Sequence, residues 1–154
     1  MNTAFYAGSF DPFTIGHLHV LLKAVQLFDK VIIGIGVHPT KKRRFDSNVM
    51  KDAIENLIHE RNLTNVSVIC YDNLTVDVAK EHGAAFLIRG LRNGMDYEYE
   101  ENIATINEQI SGIDTVYVRA GTQGFVSSSM VMELLNHGHD VSKYLPEEIF
   151  KIIW

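Results

Sequence analysis

Two arginines, Arg89 and Arg92, stand three residues apart in IRGLRNG, directly after an apolar run. Each guanidinium offers a planar fork of N–H donors that matches phosphate oxygens two at a time, so two forks on one loop imply a polyphosphate. The acidic run DYEYEE lies just downstream, and Glu98 or Glu101 could form surface ion pairs with the same arginines. A second stretch with anion chemistry is GSFDPFTIGH, residues 8–17. It has neither the Gly-Lys-Ser of a P-loop nor a GxGxxG fingerprint. Thr14 is a candidate N-cap whose hydroxyl would accept the backbone N–H of Gly16 or His17. His17 then falls in the first helical turn, where free N–H groups and the partial positive charge of the helix end attract an anion. Gly16, without a side chain, would let that anion come close. The plain alternative for His17 is a helix-start histidine bonded to a nearby carbonyl.

Two further stretches fit the same chemistry. HPTKKRRF (38–45) carries four consecutive cations; alone it reads as a solvated basic loop, but it follows an apolar run, and Lys41 could deliver a mobile ammonium to a phosphate at the first loop. GTQGFVSSSM places Ser127, Ser128 and Ser129 at a helix start. One serine suffices as the N-cap, leaving the others to donate hydrogen bonds to a terminal phosphate.

Something must bring these stretches together. Short apolar runs recur at 3–7, 30–37, 65–71, 84–90 and 114–120, continuous rather than alternating, as strands covered on both faces should be. Between them lie helical periodicities: Leu18, Leu21, Leu22 and Val25 form one stripe, and Val49, Met50, Ala53, Ile54, Leu57 and Ile58 another. Gly83, Gly112 and Gly138 stand where helices should stop, and PEEIFKIIW reads as a last short helix with proline at its first position. Strand and helix alternate five times. The expectation is a single α/β domain over residues 1–154, a doubly wound, Rossmann-like five-stranded parallel sheet with right-handed crossovers. Ligands of such sheets bind outside the carboxyl ends of the strands, where the strand order reverses. Every stretch above follows a predicted strand, so the post-strand loops should converge on one rim.

Composition narrows the partners. A formal charge of −5 and a pI near 5.8 argue against a duplex nucleic-acid binder, which neutralises phosphates with a broad basic face. The first apolar run is too short for a signal peptide and no run approaches the ~20 residues that cross a bilayer, so a cytoplasmic protein is expected. Cys70 is the one cysteine, without an intrachain partner, and is expected as a buried strand thiol. His19, His59, His82, His137 and His139 read as structural, most of them near helix ends.

GSFDPFTIGH, the lysine loop, IRGLRNGMDYEYE and FVSSSMVMEL, in this order and over nearly the whole chain, resemble the bacterial phosphopantetheine adenylyltransferases of the T/HxGH nucleotidyltransferase family. The resemblance implies transfer of AMP from ATP to 4′-phosphopantetheine, giving dephospho-coenzyme A and pyrophosphate in coenzyme A synthesis. By position it implies that Ser9 and Phe10 hold nucleotide and acceptor phosphate, with serine in place of a frequent threonine. It makes His17 the transition-state histidine, Lys41 the ligand of the acceptor phosphate and Arg89 the arginine on the pantetheine side. Gly90, Leu91 and Arg92 become the ATP-binding turn, Glu100 an ATP contact, and Thr75 a contact to the pantetheine arm. The segment Gln123, Gly124, Phe125, Val126, Ser127, Ser128 and Ser129 would wrap the phosphates. Here the chain departs from the family, which usually has an aromatic residue and then Ser or Thr where Gln123 and Gly124 stand. The resemblance further implies Mg²⁺ accompanying ATP with no dedicated protein metal site, a homohexamer, and coenzyme A as a feedback inhibitor. The nearest alternatives are another nucleotidyltransferase of the same fold, such as one acting on nicotinate mononucleotide, and a nucleotide-binding module without catalysis.

Overall fold

A computed structural model describes residues 1–153, with the side chain of Met95 left aside. Five strands, β1 (Thr3–Gly8), β2 (Lys30–Gly36), β3 (Val66–Tyr71), β4 (Phe86–Leu91) and β5 (Asp114–Arg119), form one sheet in the order β3-β2-β1-β4-β5. Every pairing is parallel, with Ala4 opposite Val31 and Phe86, for example. Parallel neighbours require crossovers, and helices supply them: α1 (Ile15–Leu27), α2 (Ser47–Glu60), α3 (Thr75–Glu81) and α4 (Gly94–Ser111), followed by α5 (Ser128–Asn136) and α6 (Glu147–Ile153). The expected doubly wound sheet is therefore present.

Strand residues alternate between two apolar layers. Ala4, Tyr6, Val31, Ile33 and Ile35 face the layer that includes Val20 and Leu21 of α1 and Met50, Ile54 and Leu57 of α2. Phe5, Ala7, Ile32 and Leu87 face the opposite layer, with Val76 and Ala79 of α3. Both faces being covered, each strand reads as one apolar run. Cys70 is only half-buried, because β3 is an edge strand; its thiol lies 3.6 Å from the Ser47 carbonyl oxygen. Pro146 precedes α6 rather than opening it, and its carbonyl accepts the N–H groups of Ile149 and Phe150 at 3.0 and 2.9 Å. Trp154, part of the predicted helix, lies outside the described residues.

Strand order reverses beside β1: the chain moves outward through β2 and β3, then returns to lay β4 on the other side. The loops after β1 and β4 consequently leave the sheet on opposite faces and part at its carboxyl edge. Gly34 keeps the layer beneath this point closed. A Cβ there would sit inside the contact envelope of the Phe5 ring and 2.9 Å from Tyr71 Cε1, and Phe5 is fully buried. Gly34→Ala should cost about 1–3 kcal/mol by overpacking. Urea unfolding would read this as a lower midpoint, against a Gly94→Ala control where a Cβ meets nothing within 4 Å.

Candidate active site

At the parting between β1 and β4 lies a cleft of about 260 Å³. Ser9, Phe10, His17, Arg89, Gly90, Arg92, Glu100, Gln123, Val126, Ser127 and Ser128 line it. Residues from three of the four stretches, those after β1, β4 and β5, thus share one wall. A second cleft adjoins it, lined by Tyr71, Thr75 and Asn107 among others, and Arg89 and Glu100 border both. Leu91, Gly124, Phe125 and Ser129 lie outside the lining of the first cleft. The Leu91 carbonyl accepts the Ala120 N–H at 2.9 Å, and Phe125 is exposed with its ring edge against Tyr144 at 6.0 Å. Lys41 lies outside the lining of both clefts, on an exposed stretch of the basic loop.

Thr14 caps α1 as its sequence position predicts, with its Oγ1 3.2 Å from Gly16 N and 3.4 Å from His17 N. His17 completes the reciprocal half of the cap: its Nδ1 accepts the Thr14 backbone N–H at 2.9 Å, where a capping box would ordinarily use Glu or Gln. An accepting Nδ1 leaves the ring proton on Nε2. The half-buried ring stands edge-on to Phe10 at 5.0 Å and tilted against Phe13 at 5.4 Å. Burial, then the nearby Arg89 and Arg92 guanidinium charges, lower its pKa to about 4. His17 is therefore a neutral Nε2–H donor at neutral pH, its orientation fixed by a backbone amide. Gly16 lines the cleft and has a packing role as well. A Cβ there would come within 3.3 Å of the Val126 carbonyl oxygen and 3.5 Å of that of Gln123, so this glycine lets the post-β5 loop close on α1.

The two arginines meet carboxylates of α4, though not Glu98 or Glu101. Arg89 forms a two-pronged pair with Glu100, Nε and Nη2 each 2.8 Å from an oxygen, and its Nη1 donates to the Ala7 carbonyl at 2.7 Å. Burial opposes the charge on Arg89, and the Glu100 carboxylate more than offsets it, raising the guanidinium pKa. Arg92 pairs with Asp96, Nε to Oδ2 at 2.9 Å, and this bond holds the Asp96 carboxyl below its ordinary range. Asp96 and Glu100 are one helical turn apart on α4 and so face the end of β4 together. Glu101 points elsewhere and accepts the Tyr117 hydroxyl at 2.9 Å.

Each serine of the cluster already has a protein partner. Ser127 caps α5 by accepting from Met130 N at 3.1 Å, Ser128 donates to the Pro12 carbonyl at 2.7 Å, and Arg44 Nη2 reaches Ser129 Oγ at 3.4 Å. The latter two hydroxyls tie the start of α5 to the first loop and to the basic loop. The free N–H groups of α5's first turn remain the anion-directed feature of this segment.

Sequence reasoning passed over Asp11, Arg43 and Arg44. Asp11 is buried; its Oδ1 accepts from Phe45 N at 2.9 Å and its Oδ2 from Arg44 N at 2.8 Å. Arg43 donates to the Ser9 carbonyl at 2.7 Å, and Arg44 to that of Asp11 at 2.9 Å. The available signal was an acidic residue inside an apolar turn, which needs cationic or N–H partners if buried. Tyr71 was also missed. Its hydroxyl lies 2.9 Å from Thr75 Oγ1 at the start of α3, where the cap residue Leu74 offers no side-chain bond.

Among the described residues no group of three or more His, Cys, Asp and Glu side chains is arranged to hold a metal ion, and no helix is long and apolar enough to cross a membrane. The carboxylates of DYEYEE nearest the cleft are those already paired with Arg89 and Arg92.

Comparison with known proteins bears on this cleft. Residues 5–134 match the family described as Cytidylyltransferase-like. Phosphopantetheine adenylyltransferases of Porphyromonas gingivalis, Rhizobium meliloti and Flavobacterium psychrophilum are 43%, 42% and 40% identical to this chain. The matches cover 95%, 99% and 97% of this chain and 95%, 97% and 98% of the respective relatives. Among solved structures, a Vibrio parahaemolyticus protein assigned as a nicotinate-nucleotide adenylyltransferase superposes with a TM-score of 0.73 at 17% identity, covering 99% of both chains. A bifunctional NMN adenylyltransferase/ADP ribose pyrophosphatase of Francisella tularensis, complexed with AMP and Mn ion, does so with a TM-score of 0.69 at 20% identity, covering 94% of this chain and 44% of that one. The structures establish a shared fold; the sequence identities go further, and the chain belongs to the Cytidylyltransferase-like family and, within it, to the phosphopantetheine adenylyltransferases.

Proposed function

We propose that this chain, as one nucleotidyltransferase domain over residues 1–154, transfers the adenylyl group of ATP to 4′-phosphopantetheine, releasing pyrophosphate and forming dephospho-coenzyme A. The observation that carries the reading is a neutral, backbone-oriented histidine sharing one cleft with two carboxylate-paired arginines and the N-terminal turn of a helix. The acceptor phosphate is already an anion, so positioning and electrostatics suffice, without a general base or covalent intermediate. An acceptor oxygen bonds to the α-phosphorus as the bridging P–O bond to the β-phosphate breaks, and the electron pair leaves with pyrophosphate.

In this scheme Lys41 and Ser9 align the acceptor phosphate. His17, Arg92 and the first turn of α5 take up charge growing on the departing group. Phe10, Gly90, Leu91, Glu100 and the segment 123–129 hold the nucleotide, several of them through main chain. Arg89 and Thr75 serve the acceptor side, in keeping with their shared border on the second cleft. Mg²⁺ would accompany ATP as part of the substrate, since magnesium keeps much of its water and takes few protein ligands. It would supply charge neutralisation of the phosphates.

The reading extends to a cytoplasmic homohexamer restrained by coenzyme A. Exposed Tyr99, Ile103, Ile106 and Ile110 on α4 form an apolar face suited to self-association. Coenzyme A carries the same pantetheine arm as the acceptor and could occupy the second cleft.

The deciding experiment is pyrophosphate release from ATP and Mg²⁺ with either 4′-phosphopantetheine or nicotinate mononucleotide as acceptor. Turnover with the first alone is expected; turnover with the second alone, or ATP binding without pyrophosphate release, would replace this function. His17→Ala should lower kcat by about 10²- to 10³-fold, the usual loss for one preorganised donor, with a much smaller change in ATP affinity. Equal losses in both would reduce the histidine to a binding group. Nitrogen NMR of the unliganded protein should show the Nε2–H tautomer of His17 persisting below pH 6, with a midpoint of about 4. Because the folded pKa lies below the ordinary 6.5, protonation favours unfolding. The stability His17 contributes is whole above pH 6.5 and declines as pH falls toward 4. A midpoint at 6.5 would mean that burial and the two arginines do not control this ring.

A further inference from the structure

The basic run is divided in its contacts. Arg43 and Arg44 are held, whereas Lys41 and Lys42 are exposed and form no ion pair among the described residues. The holding centre is Asp11, whose carboxylate takes one backbone N–H with each oxygen, from Phe45 and Arg44, and lies 3.7 Å from Arg43 Nη2. Arg43 spreads its fork across the first loop, to the Ser9 carbonyl at 2.7 Å and the Phe10 carbonyl at 3.4 Å, and back to Phe45 O at 2.9 Å through Nε. On the other side of Lys41, residues 38–41 form a turn of their own, in which Lys41 N donates to His38 O at 3.3 Å and Thr40 Oγ1 lies 3.0 Å from His38 Nδ1. Lys41 is thus a long side chain on a local turn, and the contacts that tie the basic loop to the first loop among the described residues begin two residues later, at Arg43.

We propose that Asp11 is the positioning residue for Lys41: by gripping the backbone of the basic loop and the Arg43 guanidinium, its buried carboxylate sets the point from which the lysine reaches the acceptor phosphate. The inference rests on the function proposed above. A buried carboxylate is costly unless it is paired and fully hydrogen-bonded. Asp11 meets that condition only while the basic loop lies on the first loop, so the bond set favours one loop placement. A lysine ammonium is a point charge on a flexible stem and cannot fix its own direction, so the placement of its backbone decides where it acts. The arginines in this run are therefore clamps, and the lysines are what the clamp presents.

Asp11→Asn keeps the shape but turns an N–H₂ toward one of the two backbone N–H donors. For this variant kcat/KM for phosphopantetheine should fall by about 10²-fold, the scale of a small misplacement of a reacting partner, while KM for ATP changes less than about threefold. In a Lys41→Ala background the same substitution should add less than about threefold, since the group it positions is gone. Trypsin should cleave after Lys41 or Lys42 faster in Asp11→Asn than in the parent protein, whatever the activity. Equal losses toward ATP, a full multiplicative loss on top of Lys41→Ala, or unchanged cleavage would each overturn the proposal. If the parent protein releases no pyrophosphate with phosphopantetheine, the function fails and the cleavage rates alone judge the clamp. Should Asp11→Asn not fold, Arg43→Lys keeps the charge but loses the fork, and the same measurements decide.

Discussion

Two guanidinium groups and a histidine share one cleft, and this arrangement is tolerable only because each cation has its own carboxylate. Arg89 is held by Glu100 and Arg92 by Asp96, both acids carried on the same face of α4. Without them, burial beside a second cation would press on Arg89, whose desolvation already opposes its charge. With them, the cleft keeps two donor forks aimed and charged in the absence of any anion. Under the proposed function, an arriving triphosphate would share donors that are already oriented instead of having to order them, which is the condition under which electrostatic stabilisation of a transition state is strongest. Burial first, and then the same cations, keep His17 neutral, since both act in one direction on its ring.

That neutrality has a structural use as well. Nδ1 of His17 is half of the cap of α1, so protonating it would remove the acceptor of the Thr14 N–H. One imidazole thus divides its two nitrogens: Nδ1 holds the start of the helix, and Nε2 keeps the ring proton. The Phe10 and Phe13 rings against its faces and edge leave it little freedom to rotate. Phe10 itself has φ 47, a left-handed backbone seldom adopted outside glycine, and its ring comes so close to the chain that a Cβ on Gly8 would lie 3.0 Å from it. The first loop is thus shaped around an aromatic residue that supports the histidine.

The fold was legible because its signals are local. Continuous apolar runs mark strands covered on both faces, and Thr14, Gly83 and Gly112 mark helix ends through capping and positive φ. Convergence of the loops followed from the parallel topology alone. What escaped was pairing between side chains far apart in sequence. Asp11 and Arg44 are 33 residues apart, and Ser129 and Arg44 are 85 apart. No spacing rule links them; they meet because the strand order brings the loops after β1, β2 and β5 to one edge. For the same reason the expected partners Glu98 and Glu101 gave way to Glu100, which Arg89 takes because of where α4 begins. Its start at Gly94 aligns Asp96 and Glu100 toward β4 and sends Glu101 to Tyr117. The reading of Ser128 and Ser129 as free hydroxyls underestimated how many bonds are needed to hold three loops together.

The border position of Arg89 and Glu100 constrains where two substrates can meet. Both residues line the first cleft, with His17 and Arg92, and the second, with Tyr71 and Thr75. Under the proposed function, an adenylyl donor in the first and a pantetheine arm in the second would meet along the border that Arg89 of β4 and Glu100 of α4 share with Ala7 and Gly8 of β1, at the reversal of strand order. Arg89 is also bonded to the Ala7 carbonyl of β1, so the guanidinium is braced by the two strands between which the clefts open. Under the proposed function the line of attack is then set by the sheet itself. A phosphate held at Arg89 on one side faces a nucleotide gripped by the loops above β1 and β5, and loop movement alone cannot alter the distance between the strands that carry them.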